Sequence, residues 1–111
     1  MPQIRSIYRH GFARVAACTL PVSLADPLAN AEAVASLAAE AGRGGAVLAV
    51  FPELGISGYA IDDLRLQDAL LDAVEQAVRV LVDRSPGLPL MLVGAPLRHE
   101  GALFNLSLIH I

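Results

Sequence analysis

The stretch AVLAVFPELGISGY, Ala46 to Tyr59, joins an apolar run to a single acid and then to two glycines. Its first part, AVLAVF, has no polar position to turn toward water. It therefore reads as a buried strand, apolar on both faces, central in a sheet and covered by helices. Its second part breaks the run with Pro52, Gly55 and Gly58 and carries Glu53, its one charged side chain. The chain thus leaves a buried strand through a turn that bears a lone carboxylate.

The segments on either side extend the same pattern. Upstream, FARVAACTL is a short apolar run with β-branched residues that ends at Pro21, and it predicts another buried strand. Asp26-Pro27 then supplies a helix start, because Asp caps the first free amides and Pro suits the first turn. In LANAEAVASLAAEAG, residues Ala31, Val34, Ala35, Ala38 and Ala41 share one face, with Glu32 and Glu40 outside it. Gly42 to Gly45 is expected to stop that helix. Downstream of Tyr59 a second helix is predicted, with Asp62-Asp63 at its beginning, where negative charge suits the helix dipole. Its apolar stripe is Leu70, Ala73, Val74, Ala77, Val78, Leu81 and Val82. SPGLP breaks it, LMLVGAPL predicts a third strand, RHEG a turn, and ALFNLSLIHI a fourth strand returning as a hairpin. The order strand, helix, strand, helix, strand, strand argues for an α/β fold with parallel neighbours and one hairpin.

Composition narrows the function classes. A chain of 111 residues is one domain. A net charge of −3, with acids and arginines mixed along the chain, does not suggest nucleic acid, which calls for a basic stripe or patch. No apolar run reaches the roughly 18 residues that would argue for a membrane span. Arg5, Arg9 and Arg14 ahead of VAACTLPV resemble a signal peptide, but Thr19 and Pro21 interrupt the stretch and a buried strand explains the same residues. The single cysteine, Cys18, allows no internal disulfide and fits a reducing cytoplasm. All basic side chains are arginine; the sequence contains no lysine.

Glu53 is the leading site candidate. It follows a strand, at the end of an α/β sheet where sites gather, and its neighbours Phe51, Pro52, Leu54 and Ile56 would partly desolvate it. Desolvation raises a carboxylate's proton affinity and suits a general base or acid. A carboxylate that pairs with an arginine or caps a turn fits the same residues, and both readings stay open at this level. Gly55 and Gly58 serve either an ordinary turn or close approach to a ligand. Tyr59 offers a hydroxyl and an aromatic face, and reads equally as a packing residue. Cys18 lies inside an apolar strand with no adjacent cation, which favours an inert thiol over a nucleophile. His10, His99 and His110 have no metal-ligand spacing. GRGG follows a helix and lacks the Lys-Ser/Thr of a phosphate loop.

The residues also carry a resemblance. FPELGISGY is similar to the first catalytic motif of the nitrilase superfamily, the carbon–nitrogen hydrolases. YRHGFARVAAC, SGYAIDDLRLQDALLDAVE and LVGAPLRHEGALFN extend it, from about Tyr8 to Asn105, to the amino-terminal glutaminase domain of bacterial glutamine-dependent NAD synthetases. The resemblance implies an α-β-β-α sandwich, here partial and incomplete. It implies a glutamate–lysine–cysteine triad in which cysteine attacks the amide of glutamine and water then releases glutamate. The ammonia would pass to a separate synthetase domain that uses ATP and Mg2+ to amidate nicotinic acid adenine dinucleotide to NAD. Glu53 matches the triad glutamate, the general base or acid. Tyr59 matches a tyrosine of the glutamine pocket. A cytoplasmic location and a homo-oligomer assembled through the glutaminase domain are also implied.

The departures from the pattern shape the expectation. The triad lysine has no counterpart, and Cys18 sits on the first strand, away from the later elbow where the nucleophile belongs. Residues 1–105 are read as the first part of the glutaminase domain, 106–111 as a non-native or divergent tail, and the synthetase domain as absent. No cofactor is expected on these residues. The chain alone is expected to be inactive, with one core face and a sheet edge uncovered. The alternatives are part of another nitrilase-superfamily amidase, a short non-catalytic α/β interaction module, or a mononucleotide-binding half. The last lacks a glycine fingerprint after the first strand.

Overall fold

The computed structural model describes residues 6–58 and 67–110. After a short 3-10 turn at Ile7–His10, the chain forms β1 (Val15–Ala17), α1 (Pro27–Arg43), β2 (Leu48–Val50), α2 (Asp68–Arg84), β3 (Leu90–His99) and β4 (Ala102–His110). The expected order holds. The sheet order is β1-β2-β3-β4, with β1, β2 and β3 parallel and β4 antiparallel to β3.

Helix α1 starts where the sequence predicts. Pro27 takes the first turn and Asp26 Oδ1 accepts from the Ala29 amide at 3.3 Å. Ala31, Val34, Ala35 and Ala38 are buried along one face, as expected, and Ala41 packs at its end. The stop falls within the predicted Gly42 to Gly45 stretch. Gly42 remains helical against Pro89, and the turn falls at Gly44 and Gly45, whose φ is +89°. Helix α2 begins at Asp68, the acid of its first turn. The predicted start at Asp62-Asp63 lies outside the described residues. Leu70, Val74, Ala77 and Leu81 are buried as expected; Leu71 joins them, and Val82 is exposed.

One expectation is overturned. Both helices lie on the same side of the sheet, where they share a core with Ala49, Met91, Val93 and Ala95. The β1-α1-β2 and β2-α2-β3 crossovers step across the sheet in the same direction, so one handedness puts both helices on one face. Among the described residues β2 is therefore central but covered on one side only. Ala49 is fully buried, whereas Val50, the next residue, is exposed at 37%. Val15 and Ile109 are also exposed, at 60% and 62%. Val15, Val50, Leu92 and Ile109 share the uncovered face by strand alternation and register. The predicted first strand is also shorter in pairing. Among the described residues β1 is an edge with one partner, so its ladder ends where β2 ends, the last link being Cys18 N–H to Val50 O at 2.7 Å.

The β3–β4 hairpin turns on two residues. Glu100 and Gly101 have φ of +49° and +79°, and His99 pairs with Ala102. Positive φ at both turn positions matches the twist of the strands. The predicted RHEG turn is thus only its last two residues, with Arg98 and His99 in β3. Arg98 reaches α2, where it pairs with Asp68 at 2.6 Å and with Asp72. At the sheet's other end, Arg14 donates to Gly44 O and Tyr8 OH to Gly45 O, so the YRHGFAR segment fastens the end of α1.

Candidate active site

Glu53 sits just past β2, on a turn built by backbone geometry. Phe51 N–H still pairs with Leu92 O at 3.0 Å, as if the strand continued. The chain then folds over β3. Gly55 N–H donates to Pro52 O at 3.1 Å, Gly58 N–H to Leu54 O at 2.7 Å, and Ile56 N–H to Gly94 O at 3.2 Å. Leu54 takes a left-handed φ of +52° and Gly58 one of +92°. Of the two glycines singled out by sequence, only Gly58 needs that freedom. A side chain there would also press on Val22 and Leu24 at 3.3 Å.

Two residues not singled out by the sequence make this turn possible. Gly94 lies under it: a Cβ there would stand 2.6 Å from Leu54 N and 2.8 Å from Pro52 O. Asn30, 1% exposed on α1, holds the turn from the helix side. Its amide nitrogen donates to Ile56 O at 2.8 Å and to Ser23 O at 2.7 Å, and its carbonyl accepts from Ser23 N–H at 2.7 Å. All its polar capacity but one lone pair is used, so its burial carries no unmet demand.

The turn sends Phe51, Leu54 and Ile56 inward and Glu53 outward. These three are buried while Glu53 is exposed. The expected desolvation of Glu53 by its apolar neighbours is therefore not found; they bury themselves and leave the carboxylate in the open. Its partner is Asn105 of β4, whose Nδ2 donates to Oε1. Among the described residues no ion pair involves Glu53; Arg84 and Arg98 engage Glu32, Asp68, Asp72 and Glu75. Asn105 pairs with Pro96, two positions along β3 from Gly94. Counting back from the Glu100-Gly101 turn would have placed it there.

Tyr59 lies outside the described residues. Cys18 is not brought to Glu53. It is half-buried, packs on the helix-side core and lies beside Glu40. Burial, and to a lesser degree the Glu40 carboxylate, push its thiol above the usual range. Both effects oppose formation of the nucleophilic thiolate, in keeping with the inert reading. Among the described residues no group of three or more His, Cys, Asp or Glu could hold a metal. No described helix is long and apolar enough to cross a membrane.

Glu53 thus stands just past the carboxyl end of a parallel strand, on a turn whose backbone rests on Gly94. The chain belongs to the carbon–nitrogen hydrolase family, matched over residues 14–94. It is 52% identical over 105 residues to the glutamine-dependent NAD(+) synthetase of Mycobacterium tuberculosis, covering 94% of this chain and 16% of that protein. The Mycobacterium leprae protein of the same name is 48% identical over 103 residues, covering 92% of this chain and 15% of its own length. The chain thus spans about one sixth of the relatives it matches. Among solved structures, a glutamine-dependent NAD(+) synthetase from Cytophaga hutchinsonii superposes with a TM-score of 0.75 at 22% identity, over 87% of this chain and 17% of that one. That likeness shows the fold. An amidase from Nesterenkonia superposes with a TM-score of 0.61 at 25% identity, over 77% of this chain and 34% of that one, and carries acrylamide added to its active-site cysteine. The homology is thus to the glutaminase domain of NAD synthetases, and the four strands and two helices are part of a nitrilase-like fold.

Proposed function

We propose that this chain contributes the general base of a cysteine-dependent glutaminase within a glutamine-dependent NAD synthetase. The observation that carries the reading is the placement of Glu53: outward, accepting from Asn105, within a segment 52% identical to enzymes of that name. In the proposed reaction Glu53 takes the proton of a cysteine thiol as sulfur bonds to the amide carbon of glutamine. The proton then passes to the leaving nitrogen as the C–N bond breaks and ammonia departs. Water hydrolyses the thioester, releasing glutamate and restoring the thiol. Tyr59 is proposed to line the glutamine pocket. The ammonia serves amidation of nicotinic acid adenine dinucleotide, with ATP and Mg2+ held by residues outside this chain. Self-association through this domain and a cytoplasmic setting complete the reading.

The 111 residues hold no lysine, and their single cysteine, Cys18, lies beside Glu40 on the helix-side core, so the chain by itself is expected to release no ammonia from glutamine. The likeness to an amidase favours a second substrate only weakly, because its identity is 25% against 52%. The test is replacement of the matched segment of the Mycobacterium tuberculosis relative by residues 1–105. Glutamine-driven NAD formation in the joined enzyme supports the reading. Its loss, with ammonia-driven formation intact, contradicts it.

A further inference from the structure

We propose that Asn105 is the positioning residue for Glu53, holding one carboxylate oxygen so that the other is presented to the reacting proton. The proposal rests on the reading of Glu53 as the base. The backbone under Glu53 is fixed by Gly94 and Asn30, but an exposed glutamate side chain keeps several free torsions. A base that must meet a thiol and then a leaving amine needs a fixed direction. Asn105 supplies it from a separate element. The two-residue turn at Glu100-Gly101 sets the hairpin register, and that register places Asn105 opposite Pro96. Pro96 and Gly94 alternate with Val93 and Ala95, which face the helices, so Asn105 projects from the uncovered side. Gly94 has no side chain to block the same side, and the turn carrying Glu53 occupies that space.

The chemistry of the donor fits the task. An amide N–H holds an ionised carboxylate by a charge-assisted bond, yet has no proton to give up at ordinary pH. An arginine or lysine there would hold the carboxylate as a permanent ion pair. Asn105 Nδ2 occupies Oε1, and Oε2 is the oxygen left to exchange a proton.

The experiment uses the joined enzyme. Asn105→Leu is expected to lower kcat for glutamine-driven NAD formation by about 10- to 100-fold, with KM for glutamine within about twofold, as for a misaimed group. Ammonia-driven formation stays unchanged, and Asn105→Gln, which keeps the donor, recovers part of kcat. Loss of kcat, KM and the ammonia-driven rate together would mean a structural role and overturn the proposal, as would an unchanged kcat. Glu53→Gln separates the two failures. If it leaves glutamine-driven turnover intact, the base reading falls; if it abolishes turnover while Asn105→Leu does nothing, only the positioning proposal falls. Should Asn105→Leu not fold, the side-chain amide resonances of Asn105 in the 15N-labelled 111-residue chain decide. They are expected to move on Glu53→Ala, and unmoved resonances would overturn the contact.

Discussion

Gly94 backs onto Leu54 so closely that a methyl group on its Cα would stand 2.6 Å from the Leu54 backbone nitrogen. A glycine on β3 thereby sets where the Glu53 turn can lie. The atoms it would strike are backbone, which cannot swing aside as a flexible side chain would. Gly94→Ala is therefore expected to cost about 1–3 kcal/mol, the range for overpacking a filled site. It should also move the Glu53 turn off the sheet. Urea unfolding of the 111-residue chain checks this; an unchanged midpoint would show that the turn yields freely.

Asn30 ties the same turn to α1 through three hydrogen bonds. Asn30→Ala strands the Ser23 amide and the Ser23 and Ile56 carbonyls, at a cost of about 2–4 kcal/mol. Asn30→Asp is expected to be worse. It turns two donations into repulsions between oxygens and places a charge where the residue is 1% exposed. Denaturant midpoints in the order Asn30, Ala, Asp would bear this out, and a reversal of the two variants would argue against a satisfied buried amide.

Cys18 should react slowly. Burial and then Glu40 raise its pKa, so at a given pH a smaller fraction is thiolate than in a free cysteine. Alkylation by iodoacetamide near pH 8 is expected to lag behind that of glutathione and to speed up once urea unfolds the chain. Faster alkylation in the folded state would reopen Cys18 as a nucleophile.

Much of this architecture was legible because local signals agreed with each other. Asp26-Pro27 capped α1 as read, the alanine face formed the core, and the apolar runs became strands in the expected order. What escaped reading depended on relations between distant elements. The apolar AVLAVF run cannot say whether helices cover one face or two, since that follows from the direction of both crossovers. Glu53 among apolar neighbours looked desolvated, but Leu54 at φ +52° turns the backbone so that the neighbours go in and the acid goes out. Asn105 is an ordinary strand residue until the hairpin register sets it beside Glu53. Gly94 is an ordinary strand glycine until the turn comes to rest on it.

Glu53 is proposed as the base of the glutaminase step, with no part in the rest of NAD formation. That role is tested most directly by Glu53→Gln in the joined enzyme, with NAD formation followed from glutamine and from ammonia in parallel. The glutamine-driven rate is expected to fall at least about 100-fold, the lower range for general acid–base catalysis, with the ammonia-driven rate unchanged. Near-normal glutamine-driven turnover, or an equal loss from both nitrogen sources, would contradict that role.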